Sequence, residues 1–285
     1  MTLNQYTDVP LVDYHIHTPY CGHAQGKTIE YVESAVEQGL QEICFTDHLG
    51  RYYLTPSQKK RYWDWGMDEC QIARYIAEID DLRDTFEDRI SIKTGLEIDY
   101  IPGAEEIVSK IIHQYPVDFL LGSIHCIPEL GWKHIAHYHL QESWHVYEAY
   151  FSQINAACSS GLFDAIAHID FIWRYIECPS DRHLQLGELI ESTVCDACSN
   201  DIAIEINANG YLHSLSMTQT FNPFTCLLNS VKRNESLITL GSDAHRPESV
   251  GKQFQQIAKL FVRKGIASIC CFDKRNRYPL PFAGR

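Results

Sequence analysis

The stretch Val9-Pro10-Leu11-Val12-Asp13-Tyr14-His15-Ile16-His17 decides the fold. Its first four residues are apolar and read as a buried strand. Thr18-Pro19-Tyr20 then breaks the extended run. His15 and His17 are one residue apart, so on an extended chain both side chains leave the same face. The pair sits where a strand stops and a loop begins, with His23 a short turn later. That is where barrel enzymes hold their reacting groups. Two histidines alone read equally well as a pair reaching one cation or as ordinary core or surface residues, and the rest of the chain has to separate the two readings.

Outward from this stretch the same pattern recurs: an apolar run, a polar loop, a helix-like stretch. Thr28 to Gln38 carries Ile29, Val32, Ala35 and Val36 at helical spacing, and Gly39 stops it. Glu42 to Thr46 is a second strand, ending at Asp47-His48. Gly50 to Met67 is a Tyr- and Trp-rich loop, too long for a tight connection and read as a lid or rim. Asp68 to Phe86 is a long helix with Ile72, Tyr75, Ile76, Ile79 and Leu82 on one face. A third strand, Ile90 to Leu96, ends at Glu97, and a helix spans Ala104 to Gln114. The fourth strand, Val117 to Ile124, ends at His125. A His-rich loop with His134, His137 and His139 leads to a helix from Glu142 to Ser159. The fifth strand, Asp164 to Ala167, ends at His168-Ile169-Asp170, and Leu184 to Ser199 is a helix. The sixth, Ile202 to Ile206, ends at Asn207. A loop and a helix lead to the seventh, Leu237 to Ser242, which ends at Asp243-Ala244-His245. Ser249 to Val262 is a helix, and Ala267 to Phe272 is an eighth strand or an edge.

Strands alternating with helices imply an α/β protein with a parallel sheet. The polar residues favour a closed barrel over an open sheet. Nearly every strand ends in a ligand-type residue, and these converge on one axis only if the strand ends form a ring. An open sheet would gather them at one switch point and leave the outer ends idle. No linker, repeat or low-complexity segment interrupts residues 1–285, so the chain is read as one domain.

Composition sets the limits. The 285 residues are 45% hydrophobic and 21% charged, an ordinary globular balance. A net charge of -13 argues against a nucleic-acid backbone or an anionic membrane as partner. A small phosphorylated substrate stays open, because cations reverse the local charge. The first residues carry no basic start and no long apolar run, so no secretory signal is expected, and no run approaches about 18 apolar residues. Eleven cysteines, an odd number scattered in apolar runs, suggest reduced thiols and a cytoplasmic protein. Cys195-Asp196-Ala197-Cys198 is a lone CxxC on a helix, with no second pair to make a metal site.

The strand ends collect His15, His17, His48, Glu97, His125, His168, Asp243 and His245, with His23 from the first loop. Imidazole with carboxylate suits zinc, manganese or iron rather than calcium. A single catalytic ion takes about three protein ligands, so this set implies two or three divalent transition metals. His113 lies in a helix and is read as solvated, and His134, His137, His139, His145, His183 and His213 fall in loops or on helix faces and are left outside the ligand set.

Six motifs occur in order: HxH at strand one, TDH at two, GLE at three, GSxH at four, AHxD at five and GSDAH at seven. Together they resemble the polymerase-and-histidinol-phosphatase (PHP) superfamily, over essentially the whole chain. Gly95 to Tyr100, His168-Ile169-Asp170 with Arg174-Tyr175, and Gly241 to Pro247 resemble its monofunctional histidinol-phosphate phosphatases. The resemblance implies a distorted (β/α)7 TIM-like barrel with a three-metal site. By it, His15, His17, Glu97 and Asp243 hold one ion. Glu97, His125 and His168 hold a second; His23, His48 and His245 hold the third. It implies metal-dependent hydrolysis of L-histidinol phosphate in histidine biosynthesis, with Glu97, Asp243, His245 and Arg174 catalytic.

Arg174 follows strand five and is expected to fork onto the phosphate. One departure concerns the substrate. Such phosphatases carry a basic residue just beyond an Asn-x-x-Gly turn, whereas Asn207-Ala208-Asn209-Gly210 is followed here by Tyr211-Leu212-His213. Asn207 and His213 are therefore candidate substrate contacts, His213 in place of the missing arginine. The alternative is a PHP-fold phosphoesterase acting on a nucleotide or another small phosphoester. An amidohydrolase is disfavoured because no lysine ends a strand to bridge ions, and a decayed binding domain because the ligand set is intact.

Overall fold

The computed structural model describes residues 10–59, 66–138, 143–217 and 221–282. Seven parallel strands form one sheet: β1 (Val12–Ile16), β2 (Glu42–Phe45), β3 (Ser91–Asp99), β4 (Phe119–Ser123), β7 (Ala165–Ile166), β8 (Ala203–Asn207) and β9 (Ile238–Gly241). Their order in space is their order in sequence. Between β4 and β7 a small antiparallel pair, β5 (Cys126–Ile127) and β6 (Lys133–His134), stands outside the sheet. Residues of β1, β2, β4, β8 and β9 are buried throughout. Helices outside and side chains inside cover both faces, as a parallel sheet requires.

The sheet bends round until β9 meets β1, but no full ladder joins them. Ile16 bridges Ala244, and His17 N–H donates to the Ala244 carbonyl at 2.9 Å. Below that bridge the Asp13 carboxylate stands in for a neighbouring strand. It accepts from Ser242 N at 2.9 Å and Gly251 N at 3.0 Å. The ring is thus a nearly closed, distorted seven-stranded barrel. A side chain satisfies backbone groups that a ladder would otherwise pair.

The helices follow the sequence periodicity. They are α1 (Thr28–Glu37), α2 (Pro56–Lys59), α3 (Glu69–Thr85), α4 (Glu105–Ile112), α5 (Ser143–Ser159), α6 (Phe171–Tyr175), α7 (His183–Ser199), α8 (Ala208–Ser216), α9 (Pro223–Arg233) and α10 (Phe254–Lys264). In α3, Ile72, Tyr75, Ile76, Ile79 and Leu82 are the buried face, and Asp68 with Gln71 forms a reciprocal cap at its start. The expected helix from Ser249 begins late, at Phe254. Pro247–Ser249 is a short turn, and Gln253 adopts a left-handed conformation before the helix. The short helices α6 and α8, one turn after β7 and directly after β8, escape the apolar pattern. Residues 60–65 of the Gly50 to Met67 loop lie outside the described residues, as do Val9, His139 and Glu142. The described part of that loop contains α2 and ends in a bridge between Leu49 and Met67.

The last apolar run is neither an eighth strand nor an edge. β10 (Ser268–Asp273) pairs antiparallel with β11 (Asn276–Pro281) as a separate hairpin. Its turn residues Lys274 and Arg275 bond Asp118 and Asp164, which immediately precede β4 and β7. The hairpin therefore covers the barrel end opposite the histidines. Phe272 packs on Phe119 at 4.7 Å and Tyr14 at 5.7 Å between ring centres. The Tyr14 hydroxyl accepts from Phe272 N–H at 2.7 Å and donates to the buried Glu42 carboxylate. Tyr14→Phe leaves that N–H unpaired, so stability should drop by about 1–3 kcal/mol. Denaturant melts check this, and an unchanged midpoint would show that the hairpin seal rests on ring packing alone.

Candidate metal centre

Glu97 is the middle of the site. It lies inside the nine-residue strand β3 rather than beyond its end, and its side chain is buried among imidazoles. One oxygen, Oε2, faces His15 Nε2 at 3.2 Å, His17 Nε2 at 3.3 Å and His48 Nδ1 at 2.8 Å. The other, Oε1, faces His168 Nε2 at 3.1 Å and His125 Nε2 at 3.6 Å. Asp243, at the end of β9, lies 3.4 Å from His17 Nε2 and 3.6 Å from His15 Nε2. Its backbone is left-handed, with φ of 56°, a conformation Asp tolerates better than most residues. His245 stacks on His17 at 4.1 Å, and His23 approaches His245 at 4.4 Å. All nine sequence-derived ligand residues thus meet in one cluster.

The electrostatics suit cations. Burial first, and His245 second, hold His17 down at about 3; burial likewise holds His125 at about 3 and His48 well below its usual range. These imidazoles keep lone pairs at neutral pH. Burial also works against a charged His15, but Glu205, Glu97 and Asp243 together outweigh it and raise its pKa. For Glu97 burial is outweighed by His48 and His15, and for Asp243 chiefly by His15, so both stay ionised.

Four of the seven histidines in the cluster pass a direct test for metal ligation. Ligating histidines carry their second nitrogen on an outer acceptor, which fixes the tautomer and turns the lone pair inward. Here His15 Nδ1 meets Glu205 at 2.6 Å, and His125 Nδ1 meets Asp99 at 2.8 Å. His245 Nδ1 meets the Asp243 carbonyl at 3.0 Å, and His23 Nδ1 the Cys21 carbonyl at 3.1 Å. His17 Nδ1, His168 Nδ1 and His245 Nε2 are buried without a hydrogen-bond partner. Nitrogen and oxygen donors crowded around unpaired buried atoms are what a transition-metal cluster needs.

The PHP domain family model matches residues 13–209, most of the chain and the span that carries all but two of these ligands. The chain belongs to the PHP-domain family. The "Probable histidinol-phosphatase" of Deinococcus radiodurans is 32% identical to it over 255 residues, covering 87% of this chain and 92% of that protein. The "Histidinol-phosphatase" of Bacillus subtilis is 26% identical over 263 residues, covering 85% and 96%. In fold, the chain is similar to the crystal structure of histidinol phosphate phosphatase from Lactococcus lactis, solved with zinc, L-histidinol and phosphate. That likeness has a TM-score of 0.77 at 22% identity, covering 94% of this chain and 98% of that one.

Around the PHP-domain cluster, the structure sorts the other candidates. Arg174 lies on α6, directly after His168 and Asp170. It is a half-buried arginine, not a freely exposed one. Its Nε donates to Asp170 Oδ2 at 2.7 Å, its Nη1 lies 3.7 Å from Asp243 Oδ2, and its Nη2 is buried without a partner. Gly210 of α8 makes room for that pair, since a Cβ there would meet the Asp170 carboxylate at 2.3 Å. Asn207 does not face a substrate space. It is fully buried, its Oδ1 caps α8 by accepting from Asn209 N at 2.9 Å, and its Nδ2 donates to Glu205 at 3.1 Å. That placement corrects the expected substrate contact: the amide holds a helix start and a carboxylate. His213, on α8, borders a cavity of about 320 Å³. Arg174, Trp173, Tyr175, Glu177 and Phe221 line the same cavity.

Sequence reasoning missed four buried carboxylates and one histidine. Glu205 holds His15, and Asp99 holds His125 while pairing with Arg51. Asp170 orients Arg174, and Asp13 closes the ring. A charged residue inside an otherwise apolar strand was the available signal for Glu205, and the two-residue step from Glu97 for Asp99. His134 is half-buried beside the cluster: its ring lies 6.1 Å from that of His125, and burial first, then His125, pushes it down to about 3. Cys195 and Cys198 both turn to Asn234, on the outer helix α7.

Proposed function

We propose that this protein is a metal-dependent phosphomonoesterase that hydrolyses L-histidinol phosphate to L-histidinol and phosphate in histidine biosynthesis. The observation that carries the reading is the two-sided Glu97, with imidazoles on both oxygens and a half-buried arginine near Asp243. The names of the relatives supply the substrate. His15, His17, Glu97 and Asp243 would hold one ion; Glu97, His125 and His168 a second; His23, His48 and His245 a third. Zinc, manganese or iron bound there supplies Lewis-acid activation of water and neutralises charge on the phosphate.

The chain's own residues do the rest. Arg174, held by Asp170 on one edge of its guanidinium, turns its free Nη2 toward a phosphate oxygen. Glu97 and Asp243 keep their charges in a buried setting and so confine cations between them. His245 rests against Asp243. The cavity beside Arg174 takes the leaving alcohol: Glu177 suits its ammonium, while Trp173, Tyr175 and Phe221 suit its ring. His213 stands at the same wall, in place of the arginine that related phosphatases carry. Nothing in this pocket resembles a basic track for nucleic acid. None of the eleven cysteines forms a disulfide, and no described helix is long and apolar enough to cross a membrane. Both features suit a biosynthetic enzyme of the cytoplasm.

Purified metal-replete protein should contain more than one equivalent of transition metal. It should release phosphate from histidinol phosphate faster than from nucleotides or sugar phosphates. One ion or none by elemental analysis would refute the multinuclear site. A nucleotide as the best substrate would overturn the substrate and leave the phosphoesterase.

A further inference from the structure

Glu205 touches no expected substrate space, yet all of its partners are hydrogen-bond donors. It sits on β8 and is buried, with 1% of its surface exposed. Oε1 meets His15 Nδ1 at 2.6 Å. Oε2 accepts from His168 N–H at 2.6 Å and from Asn207 Nδ2 at 3.1 Å. Three donors thus surround one carboxylate, and two of the three belong to residues of the metal cluster. The room is cut to fit. A Cβ on Gly241 would lie 1.9 Å from Glu205 Oε1 and 2.6 Å from His15 Cβ, so only glycine lets that strand pass this close.

We propose that Glu205 is a positioning residue for the metal centre: it accepts a hydrogen bond from His15 Nδ1–H, fixes that tautomer, and thereby presents the His15 Nε2 lone pair to a cation beside Glu97 and Asp243. The inference rests on the metal-site reading above and adds a residue outside its nine ligands. An ionised carboxylate only accepts, so the ring nitrogen facing it must donate. The other nitrogen is left bare toward the cluster.

Glutamine at this position cannot reproduce the arrangement. All three neighbours donate, and an amide has one accepting oxygen and one donating nitrogen. If the amide nitrogen faces His15, the ring must switch tautomer and aim an N–H at the cation. If it faces His168, two N–H groups collide. Either way the His15 site weakens.

The test is zinc affinity, measured by competition with a chromophoric chelator on wild type, Glu205→Gln, His15→Ala and the double variant. Glu205→Gln should weaken the tightest-affected zinc equivalent by roughly ten- to a hundredfold. It should add nothing in the His15→Ala background, because the effect passes through His15. Unchanged affinity in Glu205→Gln, or an equal loss in both backgrounds, would overturn the inference, the latter by showing a merely structural role. Wild type that binds no zinc would instead overturn the metal-site reading itself. A measurement on the wild type covers the case of a misfolded variant. Histidine side-chain nitrogen-15 NMR of the zinc-loaded protein, with His15 assigned by its loss in His15→Ala, should show Nδ1 protonated; protonation at Nε2 would overturn the proposal.

Discussion

Glu97→Gln is expected to cut turnover on the order of a thousandfold and to lower metal content in the same preparation. The substitution changes no volume, so packing is not what fails. What fails is charge. Both Glu97 oxygens face imidazole nitrogens, three on one side and two on the other. An amide gives one side a neutral oxygen and the other an N–H. That N–H points at nitrogens whose lone pairs are meant for cations. Elemental analysis and steady-state kinetics on the same sample decide the point. A variant with near-normal activity and metal would place Glu97 outside the coordination sphere.

Arg174→Ala is expected to reduce kcat/KM about ten- to a hundredfold, the loss of one charge-assisted contact worth about 1.5–3 kcal/mol. A surface arginine would leave the melting temperature unchanged. This one will not. Its partner Asp170 is fully buried, and removing one member of a buried pair leaves an uncompensated charge worth about 3–5 kcal/mol. The alanine variant should therefore be both slow and less stable. Arg174→Lys separates the two effects. An ammonium keeps a positive charge beside Asp170 but cannot also fork onto phosphate. It should recover most of the stability and only part of kcat/KM. Kinetics of both variants on histidinol phosphate, with thermal melts, test this. Wild-type turnover by the alanine variant would leave phosphate to the metals and to His213.

The two results depend on different layers of information. Glu97 is legible in the sequence as the acidic end of an apolar run between other such runs. Arg174 is legible as a residue of the right type near a strand end. That Arg174 is half-buried, braced by Asp170 and given room by Gly210, is not legible, because those three positions meet only after β7, α6 and α8 have packed. The correction to Asn207 has the same origin. An Asn before a helix reads as a cap or as a ligand, and only the helix that actually starts at Ala208 spends the amide on capping.

The hairpin formed by β10 and β11 went unread for a related reason. An apolar run of six residues fits an eighth barrel strand as well as an outer hairpin, and periodicity does not distinguish them. The barrel chooses. Asp13 already satisfies the backbone where another strand would insert, and Asp118 and Asp164 at the far end bind the hairpin turn.

By itself the sequence determined the alternation of the seven barrel strands with the longer helices, the barrel class and the nine residues that gather around Glu97. Apolar period and ligand-type residues at run ends are local properties, so they survive in one dimension. Only the tertiary structure decided which side of Glu97 each histidine faces, how the ring closes, and which carboxylates stand behind the ligands. Glu205 and His15 are 190 residues apart, yet 2.6 Å separates their polar atoms. A contact of that kind is set by strand register and by the space a glycine leaves, and neither is written in the neighbourhood of either residue.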